Sequence, residues 1–120
     1  MTAFTPDKER LEQEWAADQE VLRSLHDNGD NPDLVRPVDV SFRGTRETLE
    51  ELAKVGESYN LNPIQLVKTD DGQLRLDTRT YQTTNEEAIR ALTLTALQIE
   101  AEHQVIYDGW GCVAVKGDLQ

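Results

Sequence analysis

Val105-Ile106-Tyr107-Asp108-Gly109-Trp110-Gly111-Cys112-Val113-Ala114-Val115 is the stretch on which the fold turns. It holds one of the two tryptophans, the only cysteine and two of the seven glycines of a 120-residue chain. β-Branched and aromatic residues flank a small centre, so the flanks favour strand. The centre asks for positive φ or a bulge. Asp108-Gly109 between apolar arms also has the form of a two-residue hairpin turn. A hairpin would end the chain in two strands; a bulged strand would end it in one. Residues 105–107 are short for a hairpin arm, which favours a single kinked strand.

Working backwards, Thr84 and Glu87 have capping-box spacing and open a helix that runs to about His103. Ile89, Leu92, Ala96 and Ile99 form one apolar stripe on it, and Leu94, Leu97 and Ala101 lie roughly opposite. That is more apolar surface than one sheet face needs, so a second element or a partner covers this helix. Before it, residues 64–68 and 74–79 alternate as strands around the tight turn Thr69-Asp70-Asp71-Gly72. Thr45 caps a helix over residues 46 to about 58, with Leu49, Leu52 and Ala53 inward. Val38, Val40 and Phe42 alternate with Asp39, Ser41 and Arg43, after a proline suited to a strand's first residue. At the start, Thr5 caps and Pro6 opens a helix that Asn28-Gly29 closes. Leu11, Trp15, Leu22 and Leu25 share its apolar face, which Asp18 interrupts, and that face is the first choice to cover the surplus on the last helix.

The order is one helix, then β-α-β-β-α-β. This is an α+β chain with the split pattern of the ferredoxin-like two-layer sandwich: an antiparallel sheet, helices on one face, and an extra N-terminal helix. A single domain is expected, with the first helix at about residues 6–28 and the core at about 35–116. Asp39, Ser41, Arg43, Gln65, Arg75, Asp77 and Arg79 fall on the sheet side without helices. Strict alternation from an inward Tyr107 puts Trp110 on that open side too, beside arginine, as an interface anchor, unless a bulge re-aims it.

The net charge is −11. Residues 1–34 carry nine acids and three bases, and residues 81–120 six and two, whereas residues 35–80 are nearly neutral with eight and seven. Such a balance disfavours direct nucleic-acid binding, which needs clustered Lys and Arg, and suits a basic protein segment. The N-terminus is charged where a signal peptide would be apolar, and one cysteine cannot form an internal disulfide, so a cytoplasmic location is expected. His26, His103 and Cys112 lack neighbours at metal-ligand spacing, and no phosphate loop or nucleophile motif occurs. Neither catalysis, a metal nor a cofactor is expected.

Tyr107-Asp108-Gly109-Trp110-Gly111 near the end of a small acidic chain resembles the regulator of ribonuclease activity B family, small bacterial protein inhibitors of ribonuclease E. Asn28-Gly29-Asp30-Asn31-Pro32-Asp33 resembles that family's loop after an acidic first helix, and Thr48-Leu49-Glu50 sits where a family helix follows the first strand. The similarity runs from about residue 7 to 115, and the pentapeptide is its specific part. One departure is that family members carry a long acidic tail after the last strand, whereas this sequence ends at Gln120. The resemblance implies binding to the Arg-rich, non-catalytic region of the nuclease. A monomer or weak dimer is expected, and with no run of 18 apolar residues no membrane span is expected. Candidate contacts are Tyr107, Asp108, Gly109 and Trp110, the acids Glu9, Glu12, Glu14, Asp18 and Glu20, and the open-face arginines Arg43, Arg75 and Arg79. Two other readings fit the residues: an interaction domain with an unrelated basic partner, and a small-ligand sensor that binds its ligand between subunits.

Overall fold

A computed structural model describes residues 4–116. Its elements run α1 Lys8–Asp27, β1 Arg36–Gly44, α2 Arg46–Val55, a 3-10 turn Gly56–Tyr59, β2 Asn62–Lys68, β3 Leu74–Gln82, α3 Glu86–His103 and β4 Ile106–Gly111. The four strands make one antiparallel sheet in the order β2-β3-β1-β4. This is the ferredoxin-like arrangement, with α1 added.

Alternation in β1 decides the layering. Val38, Val40 and Phe42 are fully buried under the helices, whereas Asp39, Ser41 and Arg43 face the other way. β3 continues the inner surface with Leu76, Thr78 and Thr80; α2 adds Leu49 and Leu52, and α3 adds Ile89, Leu92, Ala96 and Ile99. Each fully buried aliphatic or aromatic side chain contributes about 1.5–3 kcal/mol, so this layer dominates stability. The surplus apolar side of α3 is covered only in part from within the chain: Leu97 is buried, whereas Leu94 and Ala101 stay exposed. α1 packs along it, with Leu11 and Leu22 against the core and Leu25 buried, and Arg90 lies 4.5 Å over the ring of Trp15.

β4 is one kinked strand and not a hairpin. Phe42 faces Tyr107 and Val40 faces Trp110, so three steps of β4 are matched by two in β1. Gly109 absorbs the extra residue at φ +100°, where a side chain would be strained. The bulge resets the alternation and puts Tyr107 and Trp110 on the same, helix-covered side. Of the two orientations open to Trp110, the one re-aimed by a bulge is therefore the outcome.

Two helix starts also differ from expectation. Asp7, not Thr5, caps α1 by accepting from the Arg10 N–H at 2.9 Å. Asn85 caps α3 by accepting from the Ala88 N–H at 2.9 Å, so Thr84 and Glu87 form no capping box. Thr84 is drawn off by a longer-range partner described below.

Candidate functional site

Three polar systems surround the core. The first is the open sheet face. Arg79 pairs with Asp39 at 2.8 Å and Arg75 with Asp77 at 2.7 Å. Asp77 also accepts from Ser41 at 2.9 Å and Gln65 at 2.8 Å. Arg43 sits between Asp108 at 3.2 Å and Asp71 at 3.6 Å. Burial works against the charge on Asp77, but the donors of Arg75, Gln65 and Ser41 outweigh it and hold the carboxyl below its ordinary range. All three candidate arginines are therefore already paired. Such solvent-screened pairs stabilise little, and a partner's acid would have to displace an internal one.

The second system lies between α1, α3 and β4. Asp18 is 4% exposed and accepts from the Thr93 hydroxyl at 2.6 Å and the Trp110 indole N–H at 2.9 Å. Burial raises its carboxyl above the ordinary value, against the opposing pull of those two donors. Tyr107 is 3% exposed, and burial, helped by the charges of Asp18 and Glu14, raises its phenol as well. Asp18 and Tyr107 are thus interior residues, which corrects their place among the candidate partner contacts. Trp110 is half-buried with its N–H engaged. Arg10 closes the outer edge, bonding Glu14 and Glu100, and Glu100 accepts the Tyr107 backbone N–H at 2.8 Å.

The third system is the loop after α1, which composition alone presents as an exit loop. The Asp30 and Arg36 side chains are 3% and 2% exposed and pair at 2.7 Å. Arg36 spends its other donors on the carbonyls of Leu34 at 2.9 Å and Asn31 at 2.7 Å. Asp30 also accepts from the Thr84 hydroxyl at 2.9 Å and the Val115 N–H at 2.7 Å, while the Asn31 N–H reaches the Val115 carbonyl at 2.7 Å. Burial opposes ionisation of Asp30, but the donors of Val115, Arg36 and Thr84 outweigh it, and its carboxyl is held below the usual range. This clasp fastens the segment after β4 and the start of α3 to one loop.

The remaining candidates stay outside. Glu9, Glu12 and Glu20 are exposed on α1, and Glu14 is half-buried against Arg10. At about 100° per residue, Glu9, Glu12 and Glu20 fall within an arc of about 80°, in which Asp27 also lies and Arg23 is a base. This acidic arc belongs to the helical layer; Arg43, Arg75 and Arg79 belong to the opposite side of the sheet. The candidates form no single patch.

Fold and charge together define an acidic α+β sandwich on which the added helix α1 rides, showing Glu9, Glu12 and Glu20 to solvent. The chain belongs to the family described as regulator of ribonuclease activity B, whose model matches residues 15–112. That span takes in Asp18, the Asp30 loop and the β4 pentapeptide. No curated protein matches the chain. No helix among the described residues is long and apolar enough to cross a membrane.

Proposed function

We propose that this chain is a non-catalytic, cytoplasmic regulator of RNA degradation that binds ribonuclease E as a monomer or weak dimer and modulates its cleavage of transcripts. The observation that carries the reading is the exposed arc of Glu9, Glu12 and Glu20 on a chain of this family. Carboxylates gathered on one helix face attract a basic, extended segment such as the nuclease's Arg-rich region and speed encounter. Asp18 and Tyr107 take no direct part because they are buried. Asp108 and Gly109, at the kink of β4 beside Arg43, are the open-face part of the contact.

The test is titration of the protein into the Arg-rich half of ribonuclease E at low and at physiological salt, with cleavage of a reporter RNA by full-length enzyme followed in parallel. Binding that weakens with salt, together with slowed cleavage, is the expected result. Replacing Glu9, Glu12 and Glu20 by Gln should weaken binding while leaving the melting temperature unchanged. Absence of binding at both salts would overturn the reading.

A further inference from the structure

β3 is longer than the strand that should cover its edge. β2 begins at Asn62 opposite Arg79, so Thr80, Tyr81 and Gln82 pair with β1 alone. Tyr81 lies opposite Pro37, which has no N–H to give. Their pair therefore occupies a position without ladder hydrogen bonds between β1 and β3, and the N–H and C=O of Tyr81 point away from β1. No other described residue takes up those two groups.

They open onto a cleft of about 600 Å³ between this strand end, the 3-10 turn and α3. Ala88 and Ala91 form its α3 wall, and their small side chains leave the space open. The lining contains one acid, Glu57, and no Lys or Arg; Glu102, held by the Tyr59 hydroxyl at 3.1 Å, stands beside it. An unpaired strand edge recruits an extended chain through its backbone, and side-chain space and charge select which chain. We propose that this cleft binds an extended, basic peptide segment as a short added strand against Tyr81. The surface is distinct from the α1 arc and goes beyond the reading given above, since any basic extended segment would suit it.

The test is an NMR titration of the ¹⁵N-labelled full chain with two probes, a short oligo-arginine peptide and the Arg-rich half of ribonuclease E. Shifts centred on Asn62, Tyr81 and Ala91, with the Tyr81 amide gaining protection from exchange, are expected with both. Tyr81→Pro removes the outward N–H together with the phenol ring, and Ala91→Trp, at an exposed position, fills the cleft. Each should weaken binding by about tenfold or more, the size expected for losing one or two hydrogen bonds and the space for a side chain. The Ala91 variant keeps the test decisive should the proline disturb the strand. If the nuclease segment binds with shifts confined to α1, the cleft proposal falls and the functional reading stands. If oligo-arginine enters the cleft and the nuclease segment binds nowhere, the functional reading falls and the cleft stands. Binding of neither overturns both. Cleft shifts in the free protein that grow with its own concentration would place a second copy there and overturn the peptide.

Discussion

Asp30→Ala should be the most damaging single change outside the apolar core. The substitution leaves the Arg36 guanidinium enclosed with its charge uncompensated, and it strips the acceptor from the Thr84 hydroxyl and the Val115 N–H. Removing one partner of a buried ion pair costs about 3–5 kcal/mol. The lower end applies, because a loop and a terminal segment enclose this pair and water reaches it easily after a small movement. At roughly 2.1 cal/mol/K per residue, unfolding 120 residues carries about 0.25 kcal/mol/K, so a loss of ~3 kcal/mol lowers Tm by about 12 °C. The assay is thermal and urea unfolding of the single variants Asp30→Ala and Arg36→Met and of the double variant. The double variant should recover much of the loss, since a buried pair replaced by apolar groups is often neutral. Acid provides an independent readout. Asp30 has its folded carboxyl held below the unfolded value, so its contribution is present above the unfolded pKa and disappears as pH falls through the lower, folded one. Asp30→Ala should therefore flatten the stability profile below about pH 4. A loss under ~1 kcal/mol with additive single variants would refute the clasp.

Asp18 gives the opposite pH signature. Its folded carboxyl is raised, so its contribution is complete below the unfolded pKa and declines as pH rises through the folded one. Asp18→Asn keeps an acceptor and a donor for Trp110 and Thr93 and should abolish that decline, leaving neutral-pH stability equal or higher; a steeper decline measured by urea unfolding across pH would contradict it. Gly109→Ala meets open space but forces a side chain into φ +100°, so it should cost about 1–2 kcal/mol in urea unfolding while the core resonances stay in place.

The strand and helix order was legible because periodicity is local: β1 reads apolar-polar from Val38 to Arg43, and the Gly72 turn sets the β2-β3 hairpin. What escaped depends on partners far along the chain. Thr84 looks like a helix cap, and nothing near it announces Asp30, 54 positions earlier, as its acceptor. Asp30 sits among Asn, Gly and Pro in a segment that reads as a solvated loop, and its tie to Val115 spans 85 positions. The one readable signal was Asp18. It broke an apolar helical stripe at a position that faces inward, where a carboxylate is retained only if something donates to it. The donor, Trp110, was hidden by the parity of β4, which a single glycine at positive φ reverses.

The acids of this chain therefore divide into two populations that composition cannot separate. Asp18 and Asp30 face inward and join α1 and its exit loop to α3, β4 and the segment beyond it. Glu9, Glu12 and Glu20 face outward from the same helix. The inward carboxylates fix how α1 lies, and its lie decides where the outward ones point. Neutralising the outer set should change association and its salt dependence at constant stability, because exposed charges contribute little to folding. Neutralising the inner set should change stability first and association only through the displaced helix. A partner that bound the flat sheet face instead would respond to Arg43, Arg75 and Arg79 and be indifferent to the docking of α1. The order in which these two sets of variants lose binding thus identifies the face in use.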